Sequence, residues 1–127
     1  MTDMGIYRTS IEISALDRPD ERHRVDAVMV DTGSEYTWLP ATLLAALPIP
    51  RVKPMRFVAA DGRVIERDTG YALLTAAGQT SPTIVVFALP GDQTLLGAHA
   101  LEGMNLQVDL VRRALVPAGP LPAAAAA

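Results

Sequence analysis

An aspartate that ends an apolar strand is the first residue of this chain whose setting asks for a chemical reason. Ala27-Val28-Met29-Val30 reads as a strand buried on both faces, and Asp31-Thr32-Gly33-Ser34 follows it directly. A carboxylate drawn out of water is costly unless partners meet it. Gly33 is expected to let the chain turn sharply and offer its N–H to that carboxylate, with Thr32 and Ser34 supplying hydroxyls within local reach. The chain has no cysteine, which excludes a thiol nucleophile, a disulfide scaffold and cysteine-built zinc motifs. His23 and His99 lie far apart with no metal-ligand spacing. No metal and no cofactor are expected.

The tripeptide alone is weak, because Asp-[Ser/Thr]-Gly arises by chance in about one chain of this length in twenty. Asp68-Thr69-Gly70 is a second copy. It follows Glu66-Arg67 in the return strand of a hairpin, with no apolar strand before it, and reads as structural, its glycine serving a turn or a bulge. The apolar strand in front of Asp31 is what separates the two copies.

The elements that must position Asp31 are mostly strands. Tyr7 to Leu16 alternates in part, with Ile11 and Ile13 on one face, and Asp17 to Arg24 reads as a polar turn that includes His23. Tyr36 to Leu39 is a short strand closed by Pro40, and Ala41 to Leu47 a short helix stopped by Pro48 and Pro50. Asp61-Gly62 between Phe57-Val58 and Val64-Ile65 is a strong hairpin signal. Tyr71 to Ala76 and Thr83 to Leu89 read as strands around Gly78-Gln79. Thr94 to Gly97 reads as a short apolar strand, and Ala98 to Met104 as a short helix on which His99 packs or caps the start. Leu106 to Asp109 and Ala114 to Val116 form a hairpin whose bend, with Arg112 and Arg113, is solvated.

Taken together, the apolar strand with Asp31-Thr32-Gly33-Ser34, the hairpin from Ala59 to Arg67, and Leu95-Leu96-Gly97 followed by a helix resemble the retropepsin-like aspartic proteases, in particular small single-domain bacterial members. Asp31 and Gly97 are 66 residues apart, close to the family spacing, whereas Asp68 and Gly97 are 29 apart, too few for a flap and its strands. The resemblance covers about Gly5 to Pro117. It implies an all-β fold, a closed orthogonal β-barrel of the retropepsin type with one or two short helices. It also implies an aspartic endopeptidase that works as a homodimer, since one chain supplies one aspartate and the reaction uses two. In such dyads generally, two adjacent carboxylates share one proton. One Asp31 would activate a water as general base, and its protonated mate would polarise the scissile carbonyl of an extended protein or peptide substrate.

On the same resemblance Thr32 would bond across the dimer axis, Gly33 would meet carboxylates and substrate, and the Ser34 hydroxyl would bond the carboxylate and favour its charged form. Met29, Glu35, Trp38 and Leu95 would line substrate pockets, and Ala60, Asp61, Gly62 and Arg63 would form the flap tip. Where viral members follow Leu-Leu-Gly with an arginine that pairs with an acid beyond the active-site loop, this chain has Ala98, which leaves Glu35 without that partner.

The rest of the sequence bounds this reading. The 127 residues suit one domain, expected over 1–117, with a flexible Pro/Ala-rich tail over 118–127. Half the residues are apolar and 20% are charged, which suffices for a core. A net charge of -3, with the arginines scattered, gives no footprint for nucleic acid. The start shows no leader, and the charge-free run Thr69 to Gly91 is broken by glycines and prolines, so no membrane span and a cytoplasmic location are expected. A catalytically silent peptide-binding or scaffold module on the same fold is the alternative function. An unrelated β-barrel binding protein would require the Asp31 loop to face away from any groove.

Overall fold

A computed structural model describes residues 6–126; residues 1–5, where the absence of a leader was expected, and Ala127 of the tail lie outside them. The chain runs through β1 (Tyr7–Ser14), β2 (His23–Val30), β3 (Thr37–Pro40), α1 (Ala41–Ala46), β4 (Lys53–Val58), β5 (Val64–Ala76) and β6 (Gln79–Ala88). It then forms β7 (Leu95–Leu96), α2 (Ala98–Gly103), β8 (Leu106–Asp109) and β9 (Ala114–Pro117). The protein is mostly β with two short helices, and among the described residues no helix is long and apolar enough to cross a membrane.

Seven strands form one sheet in the order β1-β2-β7-β3-β6-β5-β4, and β5 pairs in addition with β1. The long β5 makes this possible. Its first half pairs with β4, Glu12 to Ser14 of β1 meet Thr75 to Leu73 further along, and β6 runs beside Thr69 to Ala76. The hydrogen-bonded circuit therefore returns from β5 to the first strand. Inside it lie Ile11, Ile13, Val28, Leu39, Leu44, Leu74, Val85, Phe87 and Leu96, all at most 1% exposed. Burying a side chain of that size is worth about 1.5–3 kcal/mol, so this cluster holds the sheet on itself. β8 and β9 form a separate two-stranded sheet that adds Leu106 and Leu115 to the same core.

Four local readings are revised. β2 is not buried on both faces: only Val28 is, while Ala27 is exposed and Met29 and Val30 are half-buried. Ala27 sits at φ 55°, and the β1–β2 register slips between Thr9 and Ile11, so a bulge turns this strand partly out of the core. His23 and Arg24 belong to β2 rather than to the preceding turn, although both stay exposed. Val64-Ile65 and Tyr71 to Ala76 are one continuous strand. Consequently Gly70 is neither a turn nor a bulge glycine: it pairs in register with Val85 inside β5, where a Cβ would collide with the Pro50 carbonyl. Finally, Arg113 is not merely solvated, since its Nη2 donates to the Ile6 carbonyl at 2.9 Å.

The tail beyond β9 has no strand or helix, and Leu121 is 68% exposed. Its first residues are tied to the domain through Asn105, whose carbonyl accepts from the Ala118 N–H and whose side chain donates to the Gly119 carbonyl.

Candidate functional site

The two-residue strand β7 organises the site. It lies between β2, to which it is parallel (Met29 opposite Leu95, Val30 opposite Leu96), and β3, to which it is antiparallel (Trp38 opposite Leu95). The Asp31 N–H donates to the Leu96 carbonyl at 2.9 Å, so the turn starts where this pairing ends. Within the turn the Ser34 N–H returns to the Asp31 carbonyl at 3.2 Å, and the Gly33 N–H donates to Asp31 Oδ1 at 2.9 Å. That last bond is the one expected of Gly33, for a different reason: its φ is not positive, but a Cβ would stand 3.3 Å from the carboxylate oxygen. Beyond the turn, the Ala98 and His99 N–H groups donate to the Ser34 and Glu35 carbonyls at 2.7 and 2.9 Å. The Gly97 N–H donates to Thr37 Oγ1 at 3.1 Å, in full burial. The His99 ring packs edge-on against Tyr36.

The Ser34 hydroxyl corrects an expectation. It donates to the Tyr36 carbonyl at 3.0 Å, not to the Asp31 carboxylate, and so stiffens the loop instead of stabilising charge on Asp31. The Asp31 carboxylate thus takes one backbone N–H and otherwise opens into a cleft of about 610 Å³.

The Asp31 loop faces this cleft. Of the residues expected to form pockets, Glu35, Trp38, Ala60 and Leu95 line it, together with Gly33 and Ser34. Met29, half-buried, is not among the lining residues, and neither are Asp61, Gly62 and Arg63 at the tip of the β4–β5 hairpin. That tip is closed on itself: the Ala59 N–H donates to the Arg63 carbonyl, Gly62 takes φ 89°, and Asp61 accepts from both the N–H and the Nε of Arg63. Thr32 points the other way, into a groove of about 530 Å³ lined also by Val30, Leu101, Leu106 and Leu110. It is exposed and, among the described residues, its side chain has no hydrogen-bond partner.

The cleft also has walls that sequence reasoning missed. Tyr36, Phe57, Val58 and Ala59 line one side, and Gly91, Asp92 and Gln93 another. Phe57 stands edge-on to Trp38 at 5.0 Å and to Tyr36 at 6.4 Å, so an aromatic contact joins the hairpin to β3 and the residue before it. Alternation along β4 could have suggested Phe57, which is half-buried between exposed Arg56 and Val58. No local signal marks the Gly91–Gln93 loop.

Asp92 is held from behind. Arg67 of β5 grips it with two bonds, Nε to Oδ2 at 2.7 Å and Nη2 to Oδ1 at 2.9 Å, with both side chains under 20% exposed. The Leu89 N–H adds a third. The Arg67 guanidinium, first of all, holds the Asp92 carboxyl below its ordinary value against the opposing effect of burial, with the Leu89 N–H assisting. A depressed folded-state value means the pair stabilises the fold above the ordinary carboxylate range, and that this stability is lost as pH falls below that range and through the lower folded-state value. Asp92→Asn is therefore expected to cost about 1–3 kcal/mol at pH 7, with a smaller gap from wild type at pH 3. Urea unfolding of both proteins at the two pH values measures this, and a gap independent of pH would show that the charge is irrelevant.

The decoy copy stands apart. Asp68, half-buried on β5, accepts from the accessible Arg51 side chain at 2.6 Å and borders none of this cleft. Among the described residues no group of three or more His, Asp or Glu side chains is placed to hold a metal ion. No protein-family model matches the chain, and a search of curated proteins returns no significant match.

Proposed function

We propose that this chain is an aspartic endopeptidase of the retropepsin type, active as a homodimer. The observation that carries the reading is the Asp31 carboxylate, held by one backbone N–H in the lining of a cleft that Phe57 to Ala60 of the β4–β5 hairpin also line. The strand circuit that returns from β5 to β1 supports a closed barrel beneath it. A single carboxylate cannot serve as base and acid at once, so the working site needs the same residue from a second copy, related by a two-fold axis. Thr32, exposed on the far side of the loop, has the hydroxyl and the access to bond across such an axis.

In the paired state one Asp31 is ionised and the other protonated. The ionised carboxylate removes a proton from a water as its oxygen adds to the scissile carbonyl carbon. The protonated mate donates to the carbonyl oxygen and stabilises the charge that gathers there. Breaking the C–N bond then returns a proton to the departing amine, and the pair shares one proton again. An extended peptide lies beneath the hairpin, its backbone available for strand-like pairing.

Assembly and activity should rise together. Sedimentation across a concentration series, beside cleavage of an unfolded protein substrate, is expected to show a dimer and activity proportional to the dimer fraction. Full activity in a strictly monomeric sample would overturn the dyad. A monomer that binds peptides without cutting them would instead identify a binding module on this fold.

A further inference from the structure

The walls of the cleft carry acids and no bases. Asp31, Glu35 and Asp92 line it, while among the described residues no lysine, arginine or histidine does. Asp92 is already neutralised by Arg67 from outside the lining. In a dyad the two Asp31 side chains share one charge and are committed to the reaction. Glu35 is different: it is exposed and, among the described residues, has neither an ion pair nor a side-chain hydrogen bond. Tyr36, Trp38 and Phe57 line the same cleft. Aromatic rings attract a cation at their faces and pack against the methylene stem of a long basic side chain. An uncompensated carboxylate beside three rings is the chemistry that receives a guanidinium or an ammonium.

We propose that the cleft selects peptides bearing an arginine or lysine side chain, with Glu35 as the counter-charge and Tyr36, Trp38 and Phe57 as the wall it lies against. This rests on the reading of the cleft as a peptide site. Glu35 acts here as a specificity-determining residue and takes no part in the proton transfers.

Trp38 is the only tryptophan in the chain and lies in the cleft, so its fluorescence reports occupancy without turnover. The titration uses the full chain carrying Asp31→Asn, which prevents cleavage, and an acetylated, amidated peptide with a central arginine. Its partner probe has citrulline in that place, with the same shape and no charge. The arginine peptide is expected to bind about tenfold more tightly. Adding Glu35→Gln should bring the two within about twofold, and Glu35→Asp should restore part of the preference. Equal binding of both peptides, or a preference that survives Glu35→Gln, overturns the charge selection while leaving the peptide site intact. If neither peptide perturbs Trp38 at millimolar concentration, the peptide-site reading falls with it. Cleavage sites of the wild-type protein in an unfolded substrate give the independent check: cuts with no enrichment of basic residues refute the selection and keep the protease.

Discussion

On the dyad proposed above, Asp31→Asn is expected to lower peptide cleavage by about 10⁴-fold or more, the upper end of what a positioned acid or base contributes, since both copies lose the group at once. The fold should survive the change. Among the described residues the carboxylate makes one side-chain bond, from the Gly33 N–H, and an asparagine oxygen can accept that bond equally well. Asp68→Asn provides the contrast. Its partner Arg51 is exposed, with side chains 49% and 41% accessible, so its loss should cost no more than about 1 kcal/mol of stability and leave cleavage nearly intact. Initial rates on one unfolded protein substrate, with circular dichroism to verify folding, decide the matter. Undiminished activity in Asp31→Asn, or loss of activity in Asp68→Asn with the fold intact, would move the site elsewhere.

The second large effect is expected at Gly97. A Cβ there would overlap the Tyr36 carbonyl and lie 2.9 Å from the Ser34 carbonyl oxygen. These are backbone atoms of the loop that leads away from Asp31, and they cannot swing aside as the end of a side chain can. Relief requires moving either the loop or the start of α2, which strains the Thr37 bond and the two N–H bonds from Ala98 and His99. Gly97→Ala should therefore destabilise the domain by about 3 kcal/mol or more, at the high end for overpacking. For a domain of this size that lowers Tm by roughly 10 °C. Gly62→Ala is the control: its φ of 89° strains an alanine, but no atom lies within 4 Å, so it should cost only about 1–2 kcal/mol. Thermal unfolding of the two variants tests the ranking, and a Gly97→Ala protein as stable as wild type would mean that the loop and α2 approach less closely.

Both sites were within reach of the sequence because they depend on local chemistry. An acid after an apolar strand and a glycine after Leu95-Leu96 are read from neighbours in the chain, and the structure brings their elements together. The hairpin at Asp61-Gly62 was legible for the same reason. What the sequence hid was set by distant partners. The Ser34 hydroxyl had two acceptors in reach, and which it takes depends on where β3 lies. Gly70 reads as a turn residue until Pro50 is seen to lie against it. The apolar run before Asp31 suggested burial on both faces, because a bulge at Ala27 has no apolar signature of its own. The Arg67–Asp92 pair joins residues from two unrelated stretches, and no spacing rule finds it.

The insertion of β7 between β2 and β3 also orders events in time. The hairpins β1–β2, β4–β5 and β5–β6 join strands that are neighbours in the chain, so each closes a short loop and can form early. The pairing that shapes the Asp31 turn cannot. Leu95 and Leu96 must come back to strands completed long before, and the Gly97–Thr37 bond that pins them spans 60 positions. During synthesis, then, most of the domain can take shape while the acidic turn is still loose. The Asp31 turn is therefore set only when β7 emerges, and whatever activity it supports arrives with the last quarter of the polypeptide.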